Sequence, residues 1–148
     1  MSPTSLDYSA MLRVGFVLRN SGPFAIPSIR RMPPIAESLG YSTVWMTDHV
    51  VGLPSFAPVY EPEWAEIVAA LAYVAARTST VRLGTGVLLP ALRNPVVLAH
   101  LIATVDRVAE GRVILGVGIA ADGPAIRKEF AACGVPWDRR VGRFLETL

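Results

Sequence analysis

Apolar residues fall along this chain in short runs of two kinds, and the alternation between them predicts its elements. Leu12 to Leu18 is a run of strand length, and Gly22-Pro23 with Pro27 mark a loop and a helix entry after it. A helix is predicted from about Ser28 to Ser38, stopping at Gly40, the residue type that most readily takes the left-handed cap conformation. Tyr41 to Met46, rich in β-branched and aromatic residues, predicts a second strand that runs out into Thr47-Asp48-His49. The loop after it is long and carries Pro54, Pro58 and Pro62. Trp64 to Arg77 places Ile67, Val68, Leu71, Val74 and Ala75 at the spacing of one helical face. Val81 to Leu89 predicts a third strand, interrupted by Gly84 and Gly86, where a bulge or a close approach by a ligand or another backbone is the usual reason for glycine. Asn94 and Pro95 are the N-cap and first residue of a third helix, which carries Val97, Leu98, Leu101, Ile102 and Val105 on one side and ends before Gly111. Val113 to Val117 is continuously apolar, as in a strand buried on both faces. A last helical stretch starts near Pro124, breaks at Gly134-Val135-Pro136 and resumes from Arg139 to Leu148.

The order is strand then helix, repeated about four times at the spacing of βαβ units, which predicts an α/β fold on a parallel sheet. A doubly wound sheet would place a glycine-rich phosphate loop after its first strand, and the residues there, Arg19-Asn20-Ser21-Gly22-Pro23, lack the G-x-G-x-x-G spacing. A (β/α)8 TIM-type barrel needs no such loop, but it needs roughly 200 residues or more, so a barrel reading makes residues 1–148 a first half with only four or so βα units.

Composition agrees with strands covered on both sides: 52% of residues are apolar and the mean hydropathy is +0.44. The formal net charge of +2 comes from scattered residues whose only adjacent basic pairs are Arg30-Arg31 and Arg139-Arg140, a poor footprint for nucleic acid. A lone cysteine, Cys133, makes no internal disulfide and reads as a small hydrophobe near a helix end. Met1 to Ala10 lacks a basic leader region, and the longest apolar run, Ile67 to Ala76, falls short of the roughly 18 residues that span a bilayer. A cytoplasmic protein without membrane partners is expected.

In βα proteins, ligands meet the carboxyl ends of the strands. Those ends carry Asp48-His49, Gly86-Val87-Leu88-Leu89 and Gly118-Ile119-Ala120-Ala121. A histidine leaving an apolar strand can give or take a proton near neutral pH. Local sequence leaves open that Asp48 merely caps a loop and that His49 is structural. His100, in mid-helix, reads as solvated or packed. Gly116 and Gly118 read as a tight strand exit, and Trp45, Trp64 and Trp137 as packing residues. Two histidines and one cysteine without close ligand spacing predict no metal site.

Taken in order, Glu37-Ser38-Leu39-Gly40-Tyr41 through Trp45, Thr47-Asp48-His49, Val81-Arg82-Leu83-Gly84-Thr85-Gly86-Val87, Arg93-Asn94-Pro95, Gly111-Arg112-Val113 and Leu115-Gly116-Val117-Gly118 resemble the luciferase-like monooxygenase family, particularly its coenzyme F420-dependent branch. Gly134-Val135-Pro136-Trp137 with Arg139 or Arg140 and Glu146 fits as well, so the resemblance runs from about Leu12 onward. It implies a barrel that holds F420, or alternatively FMN, at the carboxyl end of its strands and works on a small organic molecule as a homodimer, commonly through its second and third helices. By position it implies His49 as the catalytic or substrate-facing histidine and Asp48 as its neighbour at the cofactor. It places Gly86-Val87 at the bulge behind the flavin ring, where many members have a non-prolyl cis peptide, and Ile119 and Ala120 in backbone contact beside the cofactor.

This chain departs from that pattern in two places. Many F420 enzymes place a carboxylate where Ala121 stands, with Asp122 one residue further on, and Leu89 is apolar where some members have a polar contact. The sequence therefore leaves three readings: F420-dependent hydride transfer, an FMNH2-dependent monooxygenase, and a non-catalytic cofactor-binding or dimerisation module. Loops after a seventh and eighth strand usually hold a cofactor phosphate. The chain has none, so a fragment, an incomplete product or a half that must pair is expected.

Overall fold

The predicted strands form at Gly15–Val17 (β1), Thr43–Met46 (β2), Arg82–Leu88 (β3) and Val113–Val117 (β4), and they pair in parallel in the order β1-β2-β3-β4. The computed structural model describes residues 12–52 and 63–148; the prolines of the predicted long loop, Pro54, Pro58 and Pro62, lie outside the described residues. Helices α1 (Ala25–Ser38), α2 (Ile67–Arg77) and α3 (Pro95–Val108) join the strands, and α4 (Pro124–Ala132) and α5 (Arg140–Thr147) follow β4. The α/β architecture of four βα units is the one expected.

Local chemistry explains where the elements begin. α1 starts three residues before the expected Ser28 because the Ala25 amide donates to the Gly22 carbonyl, and Pro27 then falls in the first turn, where no amide is needed. α2 starts at Ile67 instead of Trp64, since the Glu66 carboxylate caps it by accepting from the Ala69 amide at 2.8 Å. Trp64 stays outside the helix in a bridge with Ser21. At α3 the sequence signal holds, with Asn94 Oδ1 accepting from Val96 and Val97 and Pro95 in the first position.

Alternation along the strands sorts side chains to the two faces of the sheet. Val44, Met46 and Leu83 go to the helix side, where they pack with Ile29, Leu71, Val74 and Val105 into the main core, and α2 lies between α1 and α3. The other face carries Gly15, Trp45 and Gly84. The indole of Trp45 lies across all three strands, so close that a Cβ on Gly84 would sit 2.2 Å from Trp45 Cε3 and one on Gly15 2.4 Å from its Nε1. Gly84 is therefore explained by a neighbouring side chain.

β4 corrects one expectation. It is half-exposed along its length, with Leu115 45% exposed, because the side it shares with Leu88, Leu98 and Ile102 opens into a groove of about 570 Å³. A continuous apolar run shows what a strand can bury and says nothing of what covers it. A second, smaller core of Leu89, Ala91, Leu92, Phe130 and Val135 sits past the carboxyl end of β3 and seats α4 there, and Cys133 packs against it as the helix-end residue expected.

Candidate active site

The carboxyl ends of β1, β2 and β3 are tied together by side chains leaving each of them. Asn20, 2% exposed, donates from Nδ2 to the Thr47 carbonyl at 2.6 Å and accepts from the Thr47 amide and hydroxyl through Oδ1. The next residue, Asp48, is buried. Its Oδ2 accepts from the Leu89 amide at 2.9 Å, and its two oxygens accept from Arg93 Nη1 and Nη2 at 2.6 and 2.8 Å. Two parallel charge-assisted bonds of this kind fix orientation as well as charge. Arg93 Nη2 reaches on to Glu66 at 2.9 Å, so a chain of alternating charge runs from the end of β2 to the cap of α2. Burial alone would lower the Arg93 pKa, but Asp48 and Glu66 outweigh it and hold the guanidinium more firmly protonated than usual.

His49 points the other way along the chain. Its side chain is 14% exposed, and its Nδ1 lies 2.7 Å from Oε2 of Glu129, which is fully buried on α4. The other Glu129 oxygen accepts from the Val50 and Val51 amides at 2.6 and 3.2 Å. The edge of the ring meets Trp64, centroids 4.4 Å apart at 61°. Trp64 thus packs, as the sequence suggests, but against the histidine and from outside the predicted helix.

Gly86-Val87 lies at the end of β3, and the peptide between the two is cis, as the resemblance implies. Here the register of β3 against β4 slips, Gly86 facing Gly116 and Leu88 facing Val117. Val87 is 41% exposed and lies against Gly118, where a Cβ would stand 2.7 Å from Val87 Cγ2. The neighbouring Ile119 is 39% exposed, and Ala120 takes the left-handed conformation at φ 66° while packing on the second core. These residues form an exposed apolar ledge without a charged side chain of their own. Asp122, the carboxylate nearest to the position of Ala121, is exposed and bound through both oxygens by Arg127 at 2.7 Å, a partner that holds its carboxyl below the usual range. His100 is exposed on α3.

Three residues of this site carry no local sequence signal as site residues: Asn20, Arg93 as the partner of Asp48, and Glu129. Arg93 belongs to the Arg93-Asn94-Pro95 motif, but its partner lies 45 residues earlier. Among the described residues no group of three or more histidine, cysteine, aspartate or glutamate side chains could hold a metal ion, and no helix is long and apolar enough to cross a membrane.

Comparison with known proteins places this geometry. The chain is 41% identical over 110 residues to an F420-dependent glucose-6-phosphate dehydrogenase from Amycolatopsis mediterranei, an alignment covering 74% of this chain and 31% of that protein. Its fold matches a monooxygenase from Streptomyces bottropensis at a TM-score of 0.73 and 30% identity, covering 92% of this chain and 40% of the other. It also matches the coenzyme F420-dependent tetrahydromethanopterin reductase of Methanopyrus kandleri at a TM-score of 0.62 and 25% identity, over 85% of this chain and 31% of that one. The chain thus spans about a third of the length of the curated relative it matches. The model of the luciferase-like monooxygenase family matches residues 9–148, and the chain belongs to that family.

Proposed function

We propose that this chain is the N-terminal half of a (β/α)8 oxidoreductase that uses coenzyme F420 to move a hydride to or from a small organic substrate, with His49 as its catalytic residue. The observation that carries this reading is the placement of His49. It is the partly exposed titratable group at the carboxyl end of β2, backed by a buried carboxylate, in the same rim of strand ends as the apolar ledge of Val87 and Ile119. The names of two relatives, which specify F420, favour the deazaflavin.

The residues present fit the ring end of such a cofactor. A planar, largely apolar ring is matched by exposed aliphatic side chains with no competing charge, and Val87, Ile119 and Ala120 would hold it. Gly86 keeps side-chain bulk off the backbone behind that ledge. Asp48, expected at the cofactor, serves in this reading by fixing the rim, since both carboxylate oxygens are bonded to Arg93 and one to Leu89 as well. When bound, the deazaflavin supplies a carbon that accepts or returns a hydride. His49 takes up or delivers the accompanying proton, in a site where a carboxylate at Ala121 is absent.

A second reading, an FMN-dependent monooxygenase, is favoured by the fold match to the Streptomyces bottropensis protein, whose name describes a monooxygenase. Absorbance titration of the full chain, alone and carrying any natural downstream sequence, with F420 and FMN in parallel separates the two. Saturable F420 binding with F420-linked turnover abolished in His49→Ala supports the proposal, and preference for FMN turns it to the second reading. Cofactor binding without turnover leaves a non-catalytic module, and turnover indifferent to His49→Ala overturns the role given to His49. Pairing with a second copy is proposed through α2 and α3, where Tyr73 of α2 and Val97, Leu101 and Val108 of α3 stand exposed, and light scattering tests it.

A further inference from the structure

We infer that Glu129 is the positioning residue of the site: it fixes His49 as the tautomer protonated at Nδ1, so that Nε2 is the atom that exchanges a proton with substrate. This inference rests on the proposed role of His49 and adds the group through which that role is set.

An ionised carboxylate can only accept hydrogen bonds. Oε1 of Glu129 already accepts from two backbone amides, Val50 and Val51, and both donors are fixed in the chain. Oε2 at 2.7 Å from Nδ1 therefore requires that Nδ1 carry the proton. The carboxylate is fully buried, so it does not reach a substrate itself and acts through the ring. It is also placed by rigid elements. Glu129 precedes Phe130, which is fully buried in the second core, and Trp137 and Val135 lock the end of α4 over it. The bonds to Val50 and Val51 hold the backbone just after His49, and Trp64 packs on the ring. One side chain thus controls the tautomer, the ring orientation and the loop that bears the ring.

With a carboxylate behind the histidine, the proton-handling groups of this chain lie in line, Glu129 then His49. When Nε2 accepts a proton, the positive charge formed on the ring is met by Glu129 across the existing hydrogen bond.

The substitution Glu129→Gln separates this role from simple packing. The amide oxygen still accepts from Val50 and Val51, while the amide nitrogen now donates toward Nδ1 and reverses the tautomer. Nitrogen NMR on the full chain with isotope-labelled histidine reads the tautomer without any cofactor. The expected result is a proton on Nδ1 in the parent and on Nε2 in Glu129→Gln. In the turnover assay kcat falls by roughly a hundredfold or more with KM nearly unchanged, as for a misoriented catalytic histidine. Glu129→Asp keeps the charge and restores part of the rate, and Glu129→Gln costs nothing further in a His49→Ala background. An unchanged tautomer in Glu129→Gln, or an equal loss of rate in the His49→Ala background, overturns the inference. Absence of F420 binding by the parent carrying any natural downstream sequence overturns the proposed function instead, and the tautomer measurement still decides the present inference.

Discussion

The two ends of the sheet use charge in opposite ways. At the amino ends of the strands, Glu37 and Arg112 each saturate themselves on backbone and hydroxyl groups. Glu37 Oε1 accepts from the Ser79, Thr80 and Val81 amides and the Thr80 hydroxyl. Arg112 donates to the carbonyls of Ala75, Thr78, Val81 and Ala109 and to the Thr78 hydroxyl. At the carboxyl ends, side chain meets side chain: Asp48 with Arg93, Arg93 with Glu66, His49 with Glu129. A side chain satisfied by backbone holds loops in place and has nothing left to exchange. Side-chain pairs can be rearranged by a proton or a ligand, which suits the end proposed to bind.

Breaking each end in turn should show the difference. Arg93→Met leaves the buried Asp48 carboxylate uncompensated, which should cost about 3 to 5 kcal/mol in urea denaturation and also abolish cofactor titration. Arg112→Ala should cost about 3 kcal/mol through its orphaned acceptors, while the folded fraction titrates with cofactor as before. If Arg112→Ala altered cofactor affinity, the division between the ends would fail. Between the ends, Gly84→Ala forces a Cβ into the Trp45 ring and should cost about 1 to 3 kcal/mol, less when Trp45→Leu accompanies it, by the same denaturation measurement. The smallest effect is on pH. Burial opposes the charge on Glu37, but the Thr80, Val81 and Ser79 donors overcome it and lower its pKa from 4.5 to about 2. A depressed carboxyl pKa stabilises the fold above the unfolded value, and that contribution is lost as pH falls from about 4.5 to about 2. After solvent screening it is worth about 1 kcal/mol, and Glu37→Gln should flatten the stability profile across that window.

Legibility in the sequence divides along the same line. The caps at Asn94-Pro95 and Gly40 and the strand at Val113 to Val117 are readable because their causes are local. The motif residues that carry the resemblance include Glu37 and Arg112, which bind backbone at the amino ends of the strands, so part of the resemblance rests on scaffold. Asp48 and His49 stand out as strand-end residues, but their partners do not. Glu129 lies 80 residues from His49 on a helix of mixed polarity, where a glutamate reads as solvent-facing. Nothing in a one-dimensional pattern marks it as the fully buried residue it is. The exposed side of β4 is illegible for a different reason, since apolarity does not say what lies opposite.

Trp45 with Gly15 and Gly84 carries a consequence for descent. The indole can be kept only while two other strands keep residues without side chains, and either glycine can acquire a side chain only after the indole has shrunk. The two glycines are therefore bound to the indole, two strands answering to one side chain on a third. A lineage that changes either glycine before the indole passes through a strained intermediate, and related proteins that keep the indole should keep both glycines.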